Sequence, residues 1–114
     1  MEAGERRLGA VMFTDLVGYS AITSRDEGRA LKLLEEHRVV LKAIFQRHGG
    51  VVVKTIGDGF LVEFASVVEA VNSAVDAQLE LRRFNEGRED RASVRIGIHV
   101  ETSSTRKAIS SETP

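Results

Sequence analysis

The sequence predicts a single α+β domain whose strands and helices follow one another in the order β-α-β-β-α-β. Three observations support this prediction. The chain has 114 residues, of which 42% are hydrophobic and 29% charged, a composition typical of one globular domain. Short apolar runs alternate with two longer stretches in which apolar residues recur at helical spacing. Glycine-containing turns and Ser-x-x-Glu pairs mark the boundaries between these segments.

The composition excludes several functional classes. Sixteen basic and seventeen acidic residues give a net charge of −1, so the bulk charge does not favour nucleic acid as a partner. No apolar run approaches the roughly 20 residues that span a bilayer, and the N-terminus lacks the apolar core of a secretory signal. We therefore expect no membrane segment and a cytoplasmic location. The absence of cysteine excludes disulfides, thiolate metal sites and cysteine nucleophiles.

The first half of the chain is predicted to hold one strand and one helix. The apolar run 8–17 predicts a buried strand that ends near Asp15. Ser24 and Glu27 have the spacing of a capping box, which predicts a helix that runs to the glycine pair 49–50. Apolar residues at helical spacing indicate its buried face: Ala30, Leu34, Leu41, Ile44 and Phe45.

The second half is predicted to hold a hairpin, a helix and a strand. Two β-rich runs in 51–64 flank Gly57-Asp58-Gly59, in which Asp-Gly is expected to supply the positive φ angles of a tight turn. Ser66 and Glu69 form a second capping box. The alternating segment 93–100 predicts the fourth strand. Apolar residues mark the second helix: Val67, Val71, Ala74, Val75 and Leu79.

This order is that of the ferredoxin-like fold, an antiparallel four-stranded sheet with two helices on one face. In its usual version the first and third strands are antiparallel neighbours, so the end of one lies beside the start of the other. Asp15 occupies the first of these places, and Asp58 directly precedes the second. We therefore expect two aspartates that are distant in sequence to share one edge of the sheet.

Two carboxylates held together repel each other unless a cation lies between them. Oxygen ligands suit Mg²⁺ or Mn²⁺ better than zinc. The main chain after Asp15 leads toward a helix start, where backbone N–H groups can bind a phosphate. A divalent ion pair beside such a group suits phosphoryl transfer. The alternative interpretation is structural, since Asp15 can cap a turn and Asp58 can serve the hairpin alone.

Lys54 lies in an apolar run, where alternation places it on one face with Val52 and Ile56. It can protect an edge strand against aggregation, or it can donate a hydrogen bond to a purine ring. We expect structural or surface roles for the three histidines, which lack metal-ligand spacing: His37, His48 and His99.

Three segments in this order and spacing closely resemble the class III adenylate/guanylate cyclase catalytic domain: FTDLVGYS, KTIGDGFLVEF and VRIGIHV. The resemblance covers residues 7–100, which we predict to be a partial catalytic domain. It implies that Asp15 and Asp58 are catalytic and bind two Mg²⁺ or Mn²⁺ ions, with a main-chain carbonyl of Leu16 as a further metal ligand. The residues implied in nucleotide binding are Leu16, Val17, Gly18, Tyr19, Ser20 and Lys54.

The resemblance also implies a reaction and a partner. The reaction converts ATP to 3′,5′-cyclic AMP and pyrophosphate in cyclic-nucleotide signalling. Lys54 stands at the position that helps to select adenine, where guanylate cyclases usually carry glutamate, so the resemblance favours ATP. Such sites form between two head-to-tail subunits, which implies a homodimer or a heterodimer with another cyclase domain.

The sequence departs from the family after Val100. The family continues with a second purine contact and an Asn-x-x-x-Arg pair, and neither is present in the printed sequence. Residues 101–114 are rich in serine and threonine and predict a disordered tail. Degenerate codons for this tail, read one base early, permit the missing family segment, so we hypothesise that the tail is out of frame. The chain is therefore expected to be inactive alone, with only the metal-binding half of a site.

Three alternatives stay open. The chain can be a non-catalytic ferredoxin-like nucleotide-binding or regulatory module, since this fold hosts many functions. It can be a fragment that pairs with an intact cyclase domain. It can also be related to diguanylate cyclases, although these usually have a G-G-[DE]-E-F hairpin where this chain has Ile56-Gly57-Asp58-Gly59-Phe60.

Overall fold

The computed structural model describes residues 7–103, which form the predicted α+β fold. The strands are β1 (Arg7–Leu16), β2 (Val51–Ile56), β3 (Gly59–Phe64) and β4 (Val94–Ser103). The helices are α1 (Tyr19–Arg25), α2 (Glu27–Arg47) and α3 (Val67–Asn85). All strand pairs are antiparallel and the sheet order is β2-β3-β1-β4, so β1 and β3 are neighbours as predicted.

The core lies between one face of the sheet and the helices α2 and α3. All five predicted apolar positions of α2 are buried. Alternate residues of β1 and β3 complete the core from the sheet, because successive side chains of a strand point to opposite faces. The ring of Phe45 meets Phe60 and Phe64 edge-on, with centroid distances of 5.6 and 6.5 Å. Neither α2 nor α3 covers the opposite face of the sheet, which we call the helix-free face.

The start of α2 differs from the prediction. Asp26, rather than Ser24, is the N-cap, and its side chain accepts a hydrogen bond from the N–H of Arg29. Ser24 lies instead in α1, a short helix that the sequence pattern did not reveal, and its hydroxyl bonds back to the carbonyl of Ser20. The second capping residue is confirmed, since Ser66 accepts from the N–H of Glu69.

The buried face of α3 also differs from the prediction. The helix is present, but its buried residues are Ala70, Ser73, Ala77 and Leu81. Three of the valines and leucines that were expected to mark this face are instead about half exposed: Val71, Val75 and Leu79. Three of the four residues that face the core here are small, and the larger valine and leucine side chains lie outside.

The hairpin of β2 and β3 is present, with two local features that the sequence did not reveal. The register shifts between Val52 and Lys54, as in a β-bulge. The bulge leaves Val52 on the core face and puts Lys54 on the helix-free face, so the expectation that they share a face is wrong. In the turn, Gly57 alone takes a positive φ, of 58°, so Asp-Gly does not supply it.

The fourth strand extends to Ser103, where it pairs with Arg7. The predicted end at residue 100 is therefore three residues too early, and 101–103 belong to the sheet rather than to a disordered tail. The rest of the predicted tail, 104–114, lies outside the described residues. Within 7–103, no helix is both long and apolar enough to cross a membrane.

Candidate active site at one edge of the sheet

Asp15 lies one residue before the end of β1, on the helix-free face of the sheet. Its neighbours Thr14 and Leu16 are buried toward the helices, and alternation turns Asp15 the other way. Its register partner on β4 is Arg95. The guanidinium of Arg95 donates two hydrogen bonds to the carboxylate, from Nε to Oδ1 at 3.1 Å and from Nη2 to Oδ2 at 3.0 Å.

Arg95 is a site residue that the sequence analysis missed. The hydrogen bonds that Arg95 donates to Asp15 and the charge of the Asp15 carboxylate raise the pKa of Arg95, and the negative charge of Asp58 acts in the same direction. Both aspartates therefore act on one cation. Among the described residues, this end of the sheet is arranged to stabilise positive charge.

The hairpin turn meets the end of β1 through Gly59. A Cβ atom on Gly59 would lie 1.6 Å from the carbonyl oxygen of Thr14 and 3.2 Å from Cα of Asp15. Only glycine permits this approach of two backbones. The N–H of Phe60 donates to the Thr14 hydroxyl at 3.0 Å, in a buried position. The structure thus brings the residue next to Asp58 against Asp15, at one edge of the sheet.

Asp58 occupies the second position of the two-residue turn between β2 and β3 and is half-buried. The first position is Gly57, whose carbonyl oxygen accepts a hydrogen bond at 3.1 Å from Nη2 of Arg38. Arg38 belongs to α2, so this helix contacts the turn through the Arg38 side chain. The sequence analysis did not single out Arg38, because helical periodicity does not reveal which loop a polar residue touches.

The segment Leu16–Ser20 leaves the end of β1 beside Asp15 and turns into α1. Leu16 is only 3% exposed, and the N–H of Val17 is engaged by the carbonyl of Ser93 at 2.7 Å. Gly18 is the N-cap of α1, with a φ of 75° and no capping side chain. The first turn of a helix leaves its N–H groups without partners inside the helix. Two of the predicted residues open that turn: Tyr19, half-buried, and Ser20, exposed.

Lys54 is exposed on the helix-free face, the face that also carries Asp15. Its register partner is Leu61 on β3, which in turn lies opposite Phe13 on β1. Two strand spacings, about 10 Å, therefore separate Lys54 from β1. Leu61 lies between Lys54 and β1, and the side chain of Phe13 on β1 is half exposed. Lys54 and Asp15 therefore lie on one partly apolar surface.

The donor set at this edge consists of oxygen atoms. Within residues 7–103, no group of three or more His, Cys, Asp or Glu side chains is arranged to hold a metal ion. A hard cation here would depend on the carboxylates of Asp15 and Asp58 with main-chain oxygen. That chemistry fits Mg²⁺ or Mn²⁺, and the bidentate contact of Asp15 with a guanidinium group is consistent with a need for positive charge.

Comparison with known proteins gives consistent matches. Residues 3–109 match the family described as the adenylate and guanylate cyclase catalytic domain. A protein of Rhizobium meliloti (strain 1021) named "Putative adenylate cyclase 3" is 41% identical over 102 residues, which are 87% of this chain and 17% of that protein. The chain therefore spans a small part of this relative.

Solved structures of cyclase domains share the fold. The adenylate/guanylate cyclase/hydrolase from Silicibacter pomeroyi has a TM-score of 0.73 and 32% identity, covering 86% of this chain and 59% of its own. The guanylyl cyclase Cya2 has a TM-score of 0.71 and 27% identity, covering 89% and 57%. A bacterial light-regulated adenylyl cyclase, at a TM-score of 0.77 and 20% identity, supports the fold alone, covering 86% and 55%. The chain spans somewhat more than half of each of these structures.

Proposed function

We propose, since the chain belongs to the adenylate and guanylate cyclase catalytic domain family, that it provides the metal-binding half of a site that converts ATP to cyclic AMP and pyrophosphate. The observation that carries this proposal is the approach of Gly59 to the end of β1, which brings the Asp58 turn beside Asp15. Two carboxylates on neighbouring elements of one sheet edge can together bind divalent cations.

In this proposal, Asp15, Asp58 and the Leu16 carbonyl hold two Mg²⁺ or Mn²⁺ ions. When bound, such ions lower the pKa of the ribose 3′-hydroxyl and stabilise charge on the triphosphate. The N–H groups of Gly18, Tyr19 and Ser20 orient the phosphates at the start of α1. Val17 contributes at most its carbonyl, because Ser93 already engages its N–H.

Lys54 selects the purine in this proposal. It lies on the same helix-free face as Asp15, separated from β1 by the width of two strands. An ammonium group donates hydrogen bonds and accepts none. It can therefore pair with the ring nitrogen acceptors of adenine, whereas a carboxylate at this position would favour the donors of guanine.

The second half of the site comes from a partner subunit in this proposal, in a homodimer or a heterodimer. The helix-free face of the sheet exposes three large apolar side chains that a second domain can cover: Phe13, Val51 and Ile56. The printed sequence has no Asn-x-x-x-Arg pair. Since loss of one transition-state donor costs about 10²–10³ in rate, we expect negligible cyclisation by the 114-residue chain alone.

Calorimetric titration with ATP tests the proposal. The 114-residue chain should bind ATP only when Mn²⁺ is present, and Asp58→Ala should abolish that binding. Glu35→Ala, which removes an exposed carboxylate from α2, is the control and should bind as the unchanged protein does. Binding that ignores Mn²⁺ and Asp58 would favour a regulatory module without cyclase chemistry.

Two further measurements test the finer parts of the proposal. Lys54→Glu should shift the binding preference from ATP toward GTP, while Lys42→Glu on α2 should leave it unchanged. A cyclic AMP assay on the purified chain should detect almost no product. Robust product formation would overturn the claim that a partner must complete the site.

A further inference from the structure

The turn that carries Asp58 is held from α2 by one side chain. Nη2 of Arg38 donates to the carbonyl oxygen of Gly57 at 3.1 Å. The Arg38 side chain is half-buried, and its Nε is fully covered without a hydrogen-bond partner among the described residues. The guanidinium group therefore lies between α2 and the turn, with its Nε covered and its Nη2 bonded to the exposed carbonyl of Gly57.

We propose that Arg38 is a positioning residue for Asp58: its hydrogen bond to the Gly57 carbonyl selects the turn conformer that aims the Asp58 carboxylate at the site. The proposal rests on the proposed function, in which Asp58 binds a divalent cation. It assigns to α2 a part in the site that the cyclase segments of the sequence do not contain.

The geometry of the turn explains how this one hydrogen bond can select the turn conformation. Gly57 has a φ of 58°, and Asp58 does not take a positive φ. This combination is that of a type II′ turn, whereas a type I′ turn needs positive φ at both positions. The two types interconvert by rotation of the peptide group between these residues. That group carries the carbonyl oxygen which Arg38 holds.

Without Arg38, both conformers become accessible. Aspartate tolerates the left-handed conformation better than most residues, and glycine accepts it freely. Rotation of the peptide changes the φ of Asp58, and the side-chain rotamers that a residue can adopt depend on its backbone φ and ψ. A carboxylate that samples two directions binds a cation more weakly than one held in place.

The helix offers a rigid base for this contact. The neighbouring His37 is fully buried, its Nδ1 lies 2.7 Å from the carbonyl of Leu34, and its ring centroid is 6.3 Å from that of Phe60. Phe60 is the second residue of β3, directly after the turn. The packing of His37 therefore fixes α2 relative to the hairpin at the level of Arg38.

The sign of the expected effect separates positioning from simple electrostatics. Removing a positive charge near a cation site should tighten cation binding, because the charges repel. Loss of a group that orients a metal ligand instead weakens binding, by about 10–100-fold in known metal sites. A weaker site in an Arg38 variant therefore cannot come from the change in charge.

The experiment measures Mn²⁺ affinity from the electron paramagnetic resonance signal of free Mn²⁺, for the full chain without nucleotide. Arg38→Met should weaken binding about tenfold or more, and Arg38→Lys, which keeps a donor, should recover part of the loss. Lys42→Met removes a charge one turn further along α2 and should not weaken binding. Scalar couplings of Asp58 in the metal-free protein should report a mixture of φ values in Arg38→Met alone.

Each result decides a separate point. Unchanged or tighter Mn²⁺ binding by a folded Arg38→Met overturns the positioning role and leaves the proposed function intact. An equal loss in Lys42→Met also overturns it. If Arg38→Met does not fold, Arg38→Gln, which also removes the charge and shortens the side chain, takes its place, and unchanged or tighter Mn²⁺ binding by this variant overturns the role. Absence of Mn²⁺ binding by the unchanged protein overturns both proposals.

Discussion

The guanidinium of Arg95 grips the carboxylate of Asp15 across β1 and β4 with two hydrogen bonds of 3.1 and 3.0 Å. The planar fork of an arginine matches the two oxygens of a carboxylate. The pair is largely open to solvent, with side-chain exposures of 74% and 43%. The carboxylate proposed to bind a divalent cation therefore already binds the Arg95 guanidinium, which a metal ion has to displace.

Replacing Arg95 with methionine should strengthen Mn²⁺ binding in the absence of nucleotide. The competing cation is lost, and since exposed ion pairs contribute little, we expect a gain of about two- to fivefold. The difference should shrink at high salt, where exposed charges are screened. Titration of free Mn²⁺ at two ionic strengths measures it, with the exposed Arg25→Met on α1 as control. Weaker Mn²⁺ binding in Arg95→Met would contradict a competition between Arg95 and Mn²⁺ for the Asp15 carboxylate.

Gly59 should not tolerate alanine. The added methyl would lie 1.6 Å from the Thr14 carbonyl oxygen. Because this oxygen belongs to the backbone of β1 and the methyl position is fixed by the backbone of β3, the clash can be relieved only by separating the two strands. We expect a loss of about 3 kcal/mol or more in the free energy of unfolding, measured with urea. Gly97→Ala on β4 is the matched control, since its Cβ would meet no atom within 4 Å. Equal stability of the two variants would contradict the close approach.

Thr14→Val should destabilise the same junction for a different reason. Valine keeps the shape of threonine but leaves the buried N–H of Phe60 without its partner at 3.0 Å. An unsatisfied buried donor costs about 1–3 kcal/mol. Thr14→Ser retains the hydroxyl and should lose less, although it removes a methyl group. Urea unfolding of both variants distinguishes the hydrogen bond from packing. A smaller loss of unfolding free energy in Thr14→Val than in Thr14→Ser would argue against the hydrogen bond.

The elements were predictable because their signals are local. The two Ser-x-x-Glu pairs show the limit of such local signals. Ser66 caps α3 as its pattern predicts, whereas Ser24, in the same pattern, is displaced as a cap by Asp26. A nearby aspartate binds a helix N-terminus at least as well as serine. Local pattern alone does not decide between two competing caps.

The candidate site was only partly predictable because it depends on register. The place of Asp15 and Asp58 at one edge follows from strand order, which the β-α-β-β-α-β pattern predicts. The contact of Asp15 with Arg95 needs the β1–β4 register, and a slip of one residue moves a side chain to the other face. The bulge that turns Lys54 to the helix-free face lies between Val52 and Lys54, where the residue types give no bulge signal.

His48 should make stability depend on pH. It follows α2, and both ring nitrogens lie 2.7 Å from carboxylate oxygens of α3, in Glu69 and Asp76. A carboxylate only accepts hydrogen bonds, so both nitrogens must donate and the ring must be protonated. The hydrogen bonds to Glu69 and then Asp76 accordingly raise the pKa of His48. A raised folded-state pKa gives stability that is complete below the unfolded value of about 6.5 and is lost as pH rises through the folded value.

His48→Gln should therefore be less stable than the unchanged protein by about 1–2 kcal/mol near pH 6, with a gap that narrows toward alkaline pH. Urea unfolding at several pH values measures this gap. Burial lowers the pKa of His37, so unfolding takes up a proton in acid and this histidine lowers stability at low pH. Because His37 is present in both proteins, its contribution cancels in the difference between them. Gln46→Ala, at an exposed position of α2 without an ionisable group, is the control, and its stability difference should not vary with pH. A gap for His48→Gln that stays constant with pH would mean that the bridge does not require a protonated ring.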